Sequence, residues 1–312
     1  MTYVTQPTAI EELLQTYRQT KNIHQTAKLE MLGVEGCDVY NISHEFMWKG
    51  ELYIAGRIEA RNTEVSRIGF FKHLHGYTYE VIKPSLPMMQ DPCIDIINGE
   101  LIVGGTEIYA TPEGHISHWN TSFYRGTSFD SLVKFAQAPY KMKDVRFIQT
   151  DRIHLFSRPQ GGVAGPGKIG YTFVDSLDEI TPEVITQAPI LSTQFPDHSW
   201  GGVNQVLELS NGLLGIVGHI ATMSTGDVRH YYGMVFAFNP LTRQSTKVKI
   251  ICERSDFLPG SSKRPDLEDV VFLGGMVRHS NQLATIYTGL SDAEAHCAII
   301  PDPFLEYEVM SG

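Results

Sequence analysis

Cysteine is scarce in this chain of 312 residues: Cys37, Cys93, Cys252 and Cys297 are its only four, and no two stand in CxxC spacing. That scatter argues against a zinc site and a disulfide framework and leaves reduced, mostly buried thiols. No apolar run is long enough to span a bilayer, and no basic, apolar, small-residue leader opens the chain, so a cytoplasmic location is expected, with no membrane partner. Cations are outnumbered as well: 25 Lys and Arg stand against 35 Asp and Glu, a formal charge of −10. This balance disfavours nucleic acid, whose phosphate backbone needs a basic face. A small anion is different, because a local cluster of cations in a cleft suffices to hold it.

The common cofactor loops are missing too. Gly165-Pro166-Gly167-Lys168 lacks the spacing of a phosphate loop and runs into the strand-like IGYTFV, not into a helix. There is no dinucleotide fingerprint and no nucleophile elbow. His73 and His75 form an HLH string without further ligands, so no metal and no cofactor are expected.

What is present is one pattern met about five times: a polar approach, a β-rich run, a tight turn and a second β-rich run. It reads ISHEFMWKGELYIAGRIE from Ile42, DPCIDIINGELIVGGTEI from Asp91 and KDVRFIQTDRIHLFSRPQ from Lys143. It returns as GGVNQVLELSNGLLGIVGHI from Gly201 and EDVVFLGGMVRHSNQLATIYTGLSD from Glu268. Repeats spaced roughly 50 to 70 residues apart are the signature of propeller blades, since one small sheet cannot bury both its faces alone. Asn98-Gly99 and Asn211-Gly212 are type I′ hairpin signals, with weaker equivalents at Lys49-Gly50, Thr150-Asp151 and Ser280-Asn281. The expected fold is all-β: a five-bladed β-propeller over residues 33–312, preceded by an extension over residues 1–32. An ordinary β-sandwich, which shares such turn signals, is the alternative. Within the extension, Ile10, Leu13, Leu14 and Tyr17 stand at helical spacing behind Thr8 as a candidate N-cap, predicting a short packing helix outside the propeller.

In a propeller the innermost strands line a central channel, and the loops entering them build a funnel on one face. Polar residues at these entries converge. They are Asn41 and His44 in the first copy, Asp91 and Asp95 in the second, and Lys143, Asp144 and Arg146 in the third. Trp200 and Asn204 follow in the fourth, and Asp266, Glu268 and Asp269 in the fifth; Arg57, Glu59, Arg158, His219 and Asp292 stand at the far ends of the paired runs. Each has a plainer alternative: Asp91-Pro92 is a common turn initiator, and Lys143, Asp144 and Arg146 could form a surface ion-pair set. The same placement in every copy favours a carbohydrate or sugar-phosphate site.

These residues carry a resemblance. NIS with GELYIAGRIE, DPCIDIINGELIVGG, MKDVRF with FSRPQGG and GKIGY, and RPDLEDVVFLGGMVR with TGLSDAEA cover the chain from about Gly33 onward. The pattern resembles the mannosyltransferase-phosphorylase family first recognised in protozoan parasites, whose bacterial members were long described only as a domain of unknown function. That family is similar to the five-bladed β-mannoside phosphorylases.

The resemblance implies inverting phosphorolysis of β-1,2-linked mannosides to mannose 1-phosphate, with inorganic phosphate as co-substrate and a small carbohydrate as partner. Such a reaction needs one acid for the leaving oxygen and a cationic clamp for phosphate. By the resemblance Asp91 is the acid, its carboxyl expected to be raised by burial or by neighbouring acids, and Asp144 is the second choice. Arg57 and Asn41 match positions that hold the nonreducing sugar, and Asp292 matches a sugar-contacting aspartate. For the clamp the candidates are Arg146, Arg158 and Lys168, with His219, Arg229 and His230; arginine suits bidentate contact with phosphate. Trp200 is a candidate stacking face or a core residue, and Asn204 and Asp269 are further candidate sugar contacts. The chain departs from the phosphorylases in reading DPC without an arginine after Asp-Pro, and KDVR where arginine and asparagine often stand. A propeller hydrolase using Asp91 with Asp144 or Asp269, and a noncatalytic sugar-binding propeller, are the alternative readings.

Overall fold

The computed structural model describes residues 2–82 and 86–309. The runs rich in β-branched and aromatic residues become strands, and among the described residues they form four sheets of nine, four, three and six strands. Each repeat gives an antiparallel unit. The first unit holds Glu51–Glu59, Ser66–His75 and Thr78–Ile82, with Asp38–Tyr40 and Phe46–Trp48 both paired to Glu51–Glu59 on its inner side. The second comprises Met89–Ile97, Glu100–Ala110, Ile116–Gly126 and Val133–Gln137. The third is shorter, with Arg146–Gln149, Ile153–Ser157 and Gly170–Val174. Trp200–Glu208, Leu214–Ser224 and Val228–Asn239 build the fourth, and Asp269–Arg278, Leu283–Leu290 and Glu294–Pro301 the fifth. The repeats lead one to expect separate sheets. Instead the last two units share one, because Val228–Asn239 and Asp269–Arg278 pair in parallel at His230 with Asp269 and at Tyr231 with Val270.

The apolar faces explain how the units stand. A small sheet has two faces to bury, and each unit buries them against its two neighbours. Ile68, Phe70, Leu101 and Val103 pack between the first and second units, and Ile102, Phe123, Leu155 and Val174 between the second and third. Phe156, Tyr171, Ile216 and Phe236 lie between the third and fourth, and Val217, Val235, Leu273 and Ile286 between the fourth and fifth. Val39, Ile54, Tyr287 and Cys297 then join the fifth unit to the first, which closes the ring.

The N-terminal residues take part in that closure. Gln25–Lys28 adds an antiparallel strand to Glu294–Pro301 of the fifth unit, and Glu30–Leu32 pairs in parallel with Thr78–Ile82 of the first. Strand pairing therefore begins before Gly33, the expected start of the sheet domain. The predicted helix forms at Ile10–Thr20, capped by Ala9 without a side-chain bond, not by Thr8. An 11-residue helix is marginal alone. Its buried stripe of Ile10, Leu13, Leu14 and Tyr17 docks it into the core between the third and fourth units, and aliphatic side chains contribute about 1.5–3 kcal/mol each when fully buried.

The turns follow their chemistry only in part. Asn98 with Gly99 and Lys49 with Gly50 have positive φ at both positions, as a type I′ turn demands. At Asn211-Gly212 only Gly212 does, because Gly212 closes back on Leu209 in a wider turn. Neither Thr150-Asp151 nor Ser280-Asn281 reaches positive φ, and Gln282 takes it instead.

Candidate functional site

Backbone strain marks the site. Asn41, Asp91, Asp144 and Asp292, from the first, second, third and fifth units, all have φ between 44° and 58°. Asparagine and aspartate tolerate this left-handed region better than other side chains, and a strained non-glycine residue points to a constraint beyond folding. All four line one cavity of about 220 Å³. In the fourth unit Gly202, without positive φ, leaves room beside these residues: a Cβ there would meet Arg158 Cδ at 3.0 Å, His219 Cε1 at 3.1 Å and Asp144 Cβ at 3.3 Å. Gly289 has the same use, since a Cβ there would stand 2.1 Å from Asn41 Oδ1.

The cavity is lined by five basic side chains, Arg57, Lys143, Arg158, Arg229 and Arg264, and four carboxylates, Glu64, Asp91, Asp144 and Asp292. Asp91 Oδ1 accepts from Asn41 Nδ2 at 2.8 Å and from Arg57 Nη1 at 3.5 Å. Arg57 is clamped from behind by Glu59 at 2.5 Å and lies over the Tyr40 ring at 4.8 Å. Glu59 also accepts from Tyr40 at 2.7 Å and pairs with Lys263, whose loop is thereby tied to the first unit. Across the cavity Arg158 Nη1 lies 3.4 Å from Asp144 Oδ2, and Arg158 Nε donates to the Gly201 carbonyl at 3.0 Å. Polar atoms are left over: Asn41 Oδ1, Asp144 Oδ1 and Arg158 Nη1 are buried without a hydrogen-bond partner. Such groups are costly unless something supplies the missing bond. Lys143 has no ion pair among the described residues, and is therefore free to meet an anion.

Two carboxyls here titrate in opposite directions. Burial pushes Asp144 up, but Arg158, with Lys143 and Arg146, outweighs it and holds the group below the ordinary carboxylate range. Burial pushes Asp292 up, and although Arg57 and Lys263 oppose this, Asp91 and Glu64 add to it, so Asp292 stays high. Within this cavity Asp292 is thus a carboxyl raised by burial. Paired environments that separate two carboxyls are a feature of acid–base sites. His219 Nδ1 lies 2.9 Å from Asn204 Oδ1, which assigns the proton to Nδ1 and leaves Nε2 an acceptor. Burial lowers the His219 pKa to about 3. Its ring is neutral at pH 7, so the cations facing the cavity are Arg57, Lys143, Arg158, Arg229 and Arg264.

The other candidates are distributed by strand alternation. Eight of the fourteen line the cavity: Asn41, Arg57, Asp91, Asp144, Arg158, His219, Arg229 and Asp292. Trp200 and Asn204 stand behind it, Trp200 Nε1 donating to the Tyr231 hydroxyl at 3.0 Å. His230 and Asp269 lie off the cavity, His230 Nδ1 meeting Asp269 Oδ2 at 2.6 Å, because adjacent residues of a strand face opposite sides. Lys168 reaches Asp197 at 3.5 Å instead of the cavity. Arg146 lines a separate cavity of about 300 Å³.

Residues 15–306 match the family described as "Protein of unknown function (DUF1861)". The chain belongs to that family. No curated protein matches it. Among solved structures, this DUF1861 member is similar to a mannose phosphorylase from Leishmania mexicana in complex with phosphate ion. The identity is 33%, over 97% of this chain and 96% of that one, with a TM-score of 0.89. A GDP-Man-dependent mannosyltransferase from the same organism is 29% identical over 97% and 98% of the two chains, at TM-score 0.87. A β-1,2-mannobiose phosphorylase from Listeria innocua, 13% identical over 94% and 95% with TM-score 0.61, shares the fold.

The sequence reading of this DUF1861 chain missed Glu64, Gln90, Tyr231, Arg264 and Phe272 as lining residues and did not single out Lys143 for the clamp. Glu64 and Arg264 lie in loops without a repeat position, and they meet each other at 2.9 Å. Tyr231 was legible in principle. It stands two residues from Arg229, on the same strand face.

Proposed function

We propose that the protein is an inverting phosphorylase of β-1,2-linked mannosides, built as a five-bladed β-propeller, that exchanges mannosyl units with inorganic phosphate to give mannose 1-phosphate. The observation that carries this reading is the convergence of Asp91, Asp292 and five basic side chains, among them Lys143, unpaired among the described residues, on one small cavity. The 33% identity to a mannose phosphorylase over nearly the whole chain supports it. The blade count takes the nine-stranded sheet as two blades joined by a two-residue parallel pairing.

In the reaction a phosphate oxygen attacks the anomeric carbon from the face opposite the glycosidic oxygen. The carbon–oxygen bond breaks, and the departing oxygen takes a proton from Asp91, directly or through a sugar hydroxyl. Phosphate is itself the nucleophile, so no second carboxylate has to activate water. Arg57 and Asn41 hold the Asp91 carboxyl, which is protonated before the transfer and a carboxylate after it, and the sugar beside it, and Asp292 accepts or donates at sugar hydroxyls. Arg158 and Lys143 take the phosphate, with Arg229 at the rim, where it pairs with Asp266. The volume of about 220 Å³ falls below the roughly 300–1,000 Å³ of sites for drug-sized ligands, which suits the transferred hexose and phosphate, with the leaving sugar extending beyond the cavity. A nucleotide-mannose donor would extend beyond it, and the likeness to a GDP-Man-dependent transferase makes that donor the second one to assay. A cytoplasmic location and turnover without cofactor or metal belong to the same proposal.

The test is mannose 1-phosphate formation from β-1,2-mannobiose, with and without phosphate, by the wild type and Asp91→Asn. Phosphate-dependent product that falls by about 10²–10⁴-fold in the variant is expected. Free mannose without phosphate would mean hydrolysis.

A further inference from the structure

We infer that Arg146 is a positioning residue for Asp91, fixing the backbone that aims its carboxylate into the cavity, and not a phosphate ligand. The inference rests on the reading of Asp91 as proton donor. Arg146 is 3% exposed and has no carboxylate partner among the described residues. Its guanidinium is spent on main-chain carbonyls: Nη2 donates to Asp91 at 3.3 Å, Nε to Asn204 at 3.1 Å and Nη1 to Val145 at 2.9 Å. One planar fork thus ties together the inner strands of the second, third and fourth units, and two of its bonds end on or beside residues of the site.

Asp91 requires such a tie. Pairing of Met89–Ile97 with Glu100–Ala110 is regular to Gln90 and resumes at Cys93, so the bulge leaves Asp91 and Pro92 out of register, and Asp91 sits at φ 53°. Pro92 has no N–H to anchor the bulge. A charged donor on the Asp91 carbonyl supplies the anchor, and a guanidinium is the side chain that can reach three carbonyls from one plane. The side chain lines the larger cavity on its other side, away from Lys143 and Arg158. Its charge acts at a distance as well, helping to keep Asp144 ionised.

The experiment is steady-state phosphorolysis by Arg146→Lys and Arg146→Ala, with phosphate and mannobiose varied separately and the pH profile recorded. Lysine cannot bridge three carbonyls, so both variants should lose about 10–100-fold in kcat, while KM for phosphate stays within about threefold. Added guanidinium ion should restore part of the loss in Arg146→Ala. A phosphate KM raised tenfold or more at unchanged kcat would overturn the inference and make Arg146 a ligand. A lowered melting temperature with unchanged kcat and pH profile would also overturn it, leaving only a structural role. Should the wild type show no phosphorolysis, the functional reading fails by itself. A crystal structure of Arg146→Lys then decides the positioning role: Asp91 leaving positive φ supports it, and Asp91 unmoved sinks it.

Discussion

Two cavities meet the inner strands, and the larger is not the one that carries the chemistry. The cavity of about 300 Å³ is lined by Phe46, Ile94, Phe123, Phe147 and their neighbours, and none of its lining residues has positive φ. The cavity of about 220 Å³ is lined by four strained Asn and Asp residues, five basic side chains and several unpartnered polar atoms. Size therefore does not identify the site. The larger cavity has its own irregularity, since Asn204 stands at a register break and leaves Nδ2 without a hydrogen-bond partner, but the smaller one gathers four positive-φ residues with three such atoms, Asn41 Oδ1, Asp144 Oδ1 and Arg158 Nη1.

The sharpest way to break this contrast is Arg158→Met. It strips Asp144 of its buried partner, and removing one member of a buried pair costs about 3–5 kcal/mol. Urea unfolding of Arg158→Met and of the double variant with Asp144→Asn should show the double variant recovering part of the loss. Equal instability in both would mean that the pair contributes packing and not charge.

Acidification tests the same cavity more gently. His219 titrates at about 3 when folded and near 6.5 when unfolded, so between those values the unfolded chain binds the extra proton. Its contribution to stability is complete above pH 6.5 and falls as the pH drops towards 3, by about 1.4 kcal/mol per pH unit at most. Removing the titration in His219→Gln should flatten that part of the wild-type urea midpoint profile. An unchanged slope would assign the acid sensitivity elsewhere, for example to His44 in the larger cavity, which burial lowers to about 4.

The smallest effect is expected at the exposed edge of the larger cavity. Glu208→Gln should leave stability within about 0.5 kcal/mol and phosphorolysis unchanged. A clear loss of turnover would show that the larger cavity takes part after all.

Much of this was legible before any coordinates. Polar residues at the entry of each repeat named Asn41, Asp91 and Asp144, and their residue types suit the strained backbone they occupy. Asp292 was legible by family resemblance at TGLSD. What could not be read was direction. Arg229 and His230 are equally good anion ligands on paper, yet one faces the cavity and the other pairs with Asp269 on the opposite side. Arg146 and Arg158 look alike on paper, but one is consumed by carbonyls, whereas the other faces the cavity in an ion pair with Asp144 and keeps a buried Nη1 without a hydrogen-bond partner.

The sequence by itself determined the antiparallel units, the docking stripe of the N-terminal helix and the small polar residues at the unit entries. Alternation, turn chemistry and residue type act over a few neighbours and need no partner to be read. Only the tertiary structure decided that Gln25–Lys28 and Glu30–Leu32 link the last unit to the first, that the last two units share a sheet, and which cations reach the cavity. Those outcomes depend on contacts between residues distant in the chain, where a one-residue change in register turns a side chain from the site to the other face of the sheet.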